Sequence, residues 1–470
     1  MTFVQTEFLV FFTIVFTLYW ALPKREWQNA LLAIASAVFY GWVHPWFLGL
    51  LYVSAIVDYF SALAMERWPT RKGRILAVSL TTNLAILGYF KYVDFFLGNL
   101  AAAAEALGID TALHPLGVLL PAGISFYTFQ SMAYSIDVYR GEIRARRHLL
   151  DYLLAVSFFC HLVAGPVQRA GNLLEQAETP RTLKWDRVRS GLSLALWGAF
   201  KKVVVADTVS PYVDKVYSLP DPSGALLWAA TLGFAVQILA DFSGYTDIAR
   251  GTARMLGWEL MENFKHPYLA TSPSDFWKRW HISFSTWIRD YVYIPFGGSR
   301  GGFWRTTLAT FGALGLSGLW HGAAWSFVVW GLYHATLSTA YRVLTPRIPR
   351  SLKALPGAHA FAVALMFGWT LLGWMLFRET SLTRIVAHLS TSPFSVGSAD
   401  EAVALVVMLA VTLVGAAILV TALLVERYLL PRLERSVWYA PALSTAWAVF
   451  ALGLYMAVRP TAMDFIYFQF

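Results

Sequence analysis

Along this chain of 470 residues, apolar residues gather in long blocks rather than alternating with polar ones. Blocks at 8–22, 75–89, 225–240, 361–377, 404–424 and 440–458 are of the length needed to cross a bilayer, which takes about 20 residues as α-helix. Strands of a membrane barrel would alternate apolar and polar residues over about ten positions, and these blocks do not. The pattern predicts an all-α fold, a polytopic membrane helical bundle.

Composition narrows the class further. The apolar residues make up 57% before glycine is counted, and charged residues only 14%. Soluble domains run at about 45–50% apolar with glycine included and about 25% charged. Too few charges remain to cover a soluble globule of this size. No basic stretch precedes the first block, since the first cation is Lys24, so that block is expected to stay as a helix rather than to be cleaved as a signal peptide.

The net charge of +9 reads as topology, not as a nucleic-acid surface, because short cytoplasmic loops collect Lys and Arg. Basic loops lie at 24–25, 67–74, 140–147, 169–189, 265–305, 342–353 and 427–435. Placing them all in the cytoplasm requires spans near 3–22, 28–43, 47–65, 75–93, 116–138, 190–209, 224–241, 303–319, 323–341, 358–378, 404–424 and 440–458. That gives about 11–12 crossings, with both ends outside. The stretch 149–164 is apolar but basic on both flanks, and reads as re-entrant. Without a linker, a low-complexity tract or a repeat, the chain reads as one domain, 1–470. Its N-terminal spans cover 1–115, a core covers 116–341, and C-terminal spans cover 342–470.

Charges at mid-bilayer are costly, so their exceptions draw attention. They concentrate between Pro121 and His334, most densely at 240–305. That stretch is too polar to face lipid and too aromatic for a solvated loop, which suits interfacial or re-entrant helices lining a cavity. Lys278, Arg279 and Arg289 stand near Trp277, Trp280 and Trp287, a mixture that also suits the headgroup level. His281 and His321 stand apart; an imidazole is a suitable proton acceptor near neutral pH, although a packing or interfacial histidine is the plainer reading of either alone. His281, His321 and His334 have no short metal-ligand spacing, so no metal is expected. The single cysteine, Cys160, excludes an intrachain disulfide and reads as buried packing. The glycine-rich turn 297–302 with Arg300 reads as a flexible loop more readily than as a phosphate cradle.

The order of the polar motifs carries more than any one of them. PAGISFYTFQ at 121–130, AGPVQ at 164–168, FKKV at 200–203 with Ala206 and Asp207, and DFSGYTD at 241–247 come first. DFWKRWH at 275–281, WIRDY at 287–291, LWHGA at 319–323 and FIYFQF at 465–470 follow. In this order they resemble the membrane-bound O-acyltransferase family, and within it the bacterial alginate-type polysaccharide O-acetyltransferase branch. The resemblance runs from about residue 121 to the C-terminus and departs at Phe159, Cys160 and His161, where a proline and a different polar residue are expected.

The resemblance implies helices around a central funnel or tunnel, with His321 as catalytic base and His281 as its polar companion. It makes Gln130, Asp241, Tyr245, Trp277, Lys278, Arg279, Trp280, Arg289, Trp320 and Trp325 the candidate substrate-binding positions. Acetyl-CoA would be the donor, with no permanently bound cofactor. Its phosphates would meet Lys278, Arg279, Arg289 and Arg300, while Lys201 and Lys202 are equally suited to pairing with Asp207 or Asp241. A polysaccharide outside a bacterial inner membrane would be the acceptor, reached through a separate periplasmic or membrane-anchored acetyltransferase partner. A D-alanyl transferase of the teichoic-acid type, a lipid-linked sugar transporter or flippase, and a non-catalytic secretion scaffold are the competing readings.

Overall fold

The computed structural model describes residues 1–162, 165–429 and 432. Helix is the dominant structure and no strand occurs among the described residues, and five helical segments are both long and apolar enough to cross a membrane: Phe47–Arg67, Pro69–Ala106, Gly224–Met255, Ala358–Arg378 and Ala399–Leu429. The protein is a multi-pass α-helical membrane protein. Expected spans beyond these five are shorter helices of 16 or 17 residues, or helices enriched in Ser, Thr, His and Arg. The span at 440–458 and the motif at 465–470 lie outside the described residues. Close contacts group the chain into two compact units, 1–192 with 249–261, and 193–248 with 262 onward. The chain passes between these units three times, at 192/193, 248/249 and 261/262.

The first unit contains α1 (Thr6–Ala21), α2 (Arg25–Gly41), α3 (Phe47–Arg67), α4 (Lys72–Leu87), α5 (Val93–Ala106) and α6 (Ile124–Arg140). It also holds α7 (Leu149–Ser157), α8 (Phe159–Leu162), α9 (Ala170–Glu178) and the first turns of α10 (Trp185–Phe200). Buried polar groups tie these helices together. Ser79 on α4 donates to Asp58 on α3 at 2.5 Å, and the Asn83 amide donates to both Asp58 oxygens at 2.9 and 3.0 Å. Asn29 on α2 donates to Asp151 on α7 at 2.7 Å and to the Ala177 carbonyl on α9 at 2.9 Å. Helix α6 starts eight residues later than the expected span, because Pro121 and the left-handed Gly123 (φ 75) end the preceding extended chain there. The break between α7 and α8 leaves a 9-residue and a 4-residue helix. At about 1.5 Å rise per residue neither can span a bilayer. Cys160 is fully buried there, packed near the Thr252 hydroxyl at 3.6 Å.

The second unit takes in the rest of α10, then α11 (Asp207–Ser218), most of α12 (Gly224–Met255), α13 (Pro273–Trp277) and α14 (Ile282–Ile288). It continues through α15 (Gly302–His321), α16 (Trp325–Leu344), α17 (Arg350–Lys353), α18 (Ala358–Arg378), α19 (Leu382–Ser390) and α20 (Ala399–Leu424). A π-helical turn, Lys201–Ala206, joins α10 to α11. It presents Lys202 to Asp207 and Asp241, each at 2.8 Å, and Lys201 to Asp247 at 2.6 Å and the Ser243 hydroxyl at 2.9 Å. The backbones come this close because Gly198 and Gly244 lack side chains; a Cβ on Gly244 would lie 2.8 Å from the Gly198 carbonyl oxygen.

This pairing corrects the expectation for 240–305. Its first part is no interfacial segment: α12 runs unbroken for 32 residues through 241–247. The acidic residues that seemed to exclude a buried helix are neutralised by lysines about 40 positions upstream. The remainder, 256–301, does break into short helices, none long enough to cross a membrane. Pairing with Asp207 and Asp241 is also where Lys202 is found, rather than on a phosphate-binding surface.

Removing Lys202 would leave two buried carboxylates facing each other. Lys202→Ala is expected to cost about 3–5 kcal/mol, and Asp241→Asn in that background to restore part of it. Thermal unfolding in detergent, followed by tryptophan fluorescence, checks both variants.

Candidate active site

The chain reaches His281 through a tightly specified turn. Ser272 caps α13 by accepting from the Asp275 amide at 3.2 Å, and Pro273 fits the first helical position. After α13 the backbone enters the left-handed region at His281 (φ 44, ψ 53), a conformation that costs a non-glycine residue on the order of 1–3 kcal/mol. Asn263 holds it there. Its carbonyl accepts from the Ile282 amide at 3.0 Å, and its side-chain oxygen accepts from the Ser283 amide and hydroxyl at 3.2 and 2.6 Å. Asn263 is itself fully buried and donates to the Thr246 hydroxyl at 3.4 Å.

The His281 ring is 1% exposed. It lies edge-on to Phe242 with centroids 4.7 Å apart, and near Phe284 and Trp320 at 5.0 and 6.1 Å. Neither ring nitrogen has a hydrogen-bond partner among the described residues. An unpaired buried polar atom costs on the order of 1–3 kcal/mol. Strained backbone and unsatisfied nitrogens at one residue are a combination that stability alone does not favour, and such strain clusters at functional sites.

His321 is the last residue of α15, where Gly322 turns the chain toward α16. The two helices pack through glycines. A Cβ on Gly318 would sit 2.1 Å from the Phe327 carbonyl oxygen, and one on Gly331 2.3 Å from that of Leu314. That approach sets the His321 ring among Trp320, Trp330, Phe377 and Phe284, at 4.9, 5.0, 5.4 and 5.5 Å. Phe284 touches both histidines, stacking 4.2 Å from Trp320 as well.

His321 Nδ1 lies 2.6 Å from the Ser317 carbonyl oxygen one turn back. A carbonyl can only accept, so Nδ1 carries the proton, and in the neutral ring Nε2 carries the lone pair. Burial, and next the neighbouring His321, push the His281 imidazolium well below its ordinary range; His281 lies outside the five spanning helices. The arrangement is a pair of imidazoles in a dry aromatic box, one held as a proton acceptor and the other held neutral.

Of the positions singled out in the sequence, Trp320 lines this box, and Trp280 stands behind it, edge-on to Phe242 at 6.4 Å. Trp277 lies one ring away, against Trp330 at 5.9 Å and His334 at 5.2 Å. Asp241 is held by Lys202, and Tyr245 presents its ring to the same ammonium at 5.6 Å. Gln130 belongs to the first unit, where it donates to the Ala155 carbonyl at 2.8 Å. Lys278 is exposed, Arg279 pairs with Asp275 at 2.7 Å, and the exposed Arg289 pairs with its neighbour Asp290 at 2.7 Å. Trp325 is 52% exposed at the start of α16, beyond the turn that separates that helix from His321.

Arg279, Asp275, His266, His359 and Arg427 line a cavity of about 700 Å³. The sequence reading missed Asn263, Phe284, Ser317 and Trp330. Only Ser317 left a trace, four residues before His321 and so on the same helix face.

Residues 140–366, which contain both histidines, match the family model described as MBOAT, membrane-bound O-acyltransferase family. A probable alginate O-acetylase of Azotobacter vinelandii is 39% identical over 81% of this chain and 76% of its own length. A peptidoglycan O-acetyltransferase of Helicobacter pylori is 33% identical over 75% of this chain and 71% of its own. A teichoic acid D-alanyltransferase of Bacillus subtilis is 27% identical over 54% and 68%. The chain belongs to the membrane-bound O-acyltransferase family, and the protein is an acyltransferase.

The backbone at His281 separates fold from chemistry. Asn tolerates the left-handed conformation, so His281→Asn is expected to stay within about 1 kcal/mol of wild-type stability, whereas the β-branched His281→Val should lose more than about 2 kcal/mol. Because the folded state lowers the His281 pKa, the unfolded chain takes up the extra proton below its ordinary range. Wild-type stability therefore falls as pH drops below about 6.5, by up to about 1.4 kcal/mol per unit. His281→Asn lacks that component, and melting temperatures between pH 7.5 and 5 check the difference.

Proposed function

We propose that the protein moves acetyl groups from acetyl-CoA to the hydroxyls of a polysaccharide outside a bacterial inner membrane, with alginate or a similar exopolysaccharide as acceptor. The relatives named above for alginate and peptidoglycan O-acetylation support acetyl as the group and a glycan hydroxyl as the acceptor. They match more of the chain, at higher identity, than the D-alanyltransferase does. The observation that carries the chemistry is the Nδ1–H of His321 donated to the Ser317 carbonyl, which presents Nε2 as the base.

The transfer then proceeds in two steps. Nε2 of His321 takes the proton of the attacking hydroxyl as its oxygen bonds to the thioester carbonyl carbon. Charge moves onto the carbonyl oxygen, where an N–H of neutral His281 can donate to it. The tetrahedral adduct collapses, the C–S bond breaks, and the His321 imidazolium returns its proton to the departing thiolate. Aromatic walls keep water from competing for the acetyl group. Arg279 and Arg427, with His266 and His359, are the groups of this cavity that would meet the donor's phosphates, beside the carboxylates of Asp275 and Glu426. On this reading the immediate acceptor is a separate extracytoplasmic acetyltransferase partner that hands acetyl to the polymer.

Purified protein in liposomes with radiolabelled acetyl-CoA tests the proposal. His321→Ala, matched to wild type in melting temperature, should release or transfer acetyl at least about 100-fold more slowly. A rate equal to wild type would overturn the assignment.

A further inference from the structure

Asp58 stands near the middle of α3, a 21-residue helix long and apolar enough to cross a membrane. Its carboxyl group is fully buried, and no lysine, arginine or histidine pairs with it among the described residues. The other buried aspartates differ. Asp151 meets Arg25 at 3.9 Å, and Asp241 meets Lys202 at 2.8 Å. Ser79 and Asn83 satisfy the oxygens of Asp58 with hydrogen bonds, yet they carry no charge to balance it. A lone carboxylate at mid-bilayer is costly, and either a proton or a bound cation must neutralise it.

The surroundings of Asp58 suit a cation. Ser131 and Ser135 lie four residues apart on one face of α6, and both hydroxyls face the carboxylate. Ser131 shares a hydrogen bond with the Tyr152 hydroxyl on α7, 3.3 Å away. The Ser135 hydroxyl is 0% exposed and completes no hydrogen bond among the described residues. A buried hydroxyl aimed at a carboxylate and left without a partner is costly unless a ligand uses it. A serine that donates its proton to the carboxylate, as Ser79 does, keeps its lone pairs for a cation. A proton would need only one of these oxygens, whereas four helices of the first unit, α3, α4, α6 and α7, bring several together.

The donor set also restricts the ion. Carboxylate and hydroxyl oxygens are hard ligands, and no histidine or cysteine stands among them. One carboxylate balances one positive charge, so a singly charged ion leaves the interior neutral. Oxygens held 2.5–3.3 Å apart favour a small ion over a large one. We propose that Asp58, Ser79, Ser131 and Ser135 form a binding site for a sodium ion within the first unit, where it ties α3, α4 and α6 together.

The full-length protein, purified in detergent with choline chloride and titrated with sodium chloride at constant ionic strength, tests the site. The wild-type melting temperature should climb with sodium, by about 2 °C or more for each tenfold rise above half-saturation. Asp58→Asn keeps the shape and loses the charge, so its melting temperature should be the same in both salts. Ser135→Ala keeps the carboxylate and removes one ligand, so half-saturation should need about tenfold more sodium. That variant gives the reading should Asp58→Asn fail to fold. Equal wild-type melting temperatures in the two salts overturn the site, and a stabilised Asp58→Asn in that case assigns the neutralising charge to a proton. A sodium response left unchanged in both variants overturns it as well, because the ion then acts elsewhere.

Discussion

A polar group buried without a partner costs on the order of 1–3 kcal/mol, and inside a bilayer no solvent is at hand to soften that cost. Much of this molecule can be read as a response to that constraint. Lys202 sits between Asp207 and Asp241, Asn83 gives its amide to both oxygens of Asp58, and Asn29 joins Asp151 to the backbone of α9. Around His321 the response differs. Trp277 Nε1, both nitrogens of His281, Trp330 Nε1 and His334 Nδ1 are buried in one aromatic cluster without a partner among the described residues. Unpartnered atoms occur elsewhere among the described residues, Gln28 Oε1 and Gln237 Oε1 among them, but here five of them gather in the one aromatic cluster around His321.

The cluster is held by features with little chemistry of their own. Gly318 and Gly331 let α15 and α16 approach until backbone meets backbone, which seats the His321 ring against Trp330. Asn263 holds the turn that forces His281 into a left-handed backbone. The Ser317 carbonyl decides which nitrogen of His321 carries the proton. Each contact trades local stability or conformational freedom for a fixed ring position, the preorganisation that acyl transfer requires.

Much of the architecture was legible in the chain. The apolar blocks gave the membrane class. The extension of α12 through Asp241 and Asp247 was not legible, because the lysines that neutralise them lie some 40 residues away and meet them only across a π-helical turn. His281 and His321 were singled out by the order of the motifs rather than by spacing, since 40 residues predict no distance. Trp325, a position the resemblance implied, follows His321 by four residues, but Gly322 ends the helix between them and the indole is 52% exposed. Asn263 and Trp330 had no local signature; their roles exist only in the packed structure.

The most direct measurement is the structure of the protein bound to a non-hydrolysable acetyl-CoA analogue in which a methylene replaces the thioester sulfur. The acetyl carbonyl should lie within the box formed by Phe284, Trp320 and Trp330. An attacking oxygen placed within about 3–3.5 Å of its carbon should also come within hydrogen-bond reach of His321 Nε2. An acetyl group bound outside that box, with His321 unable to reach the attacking oxygen, would contradict the account.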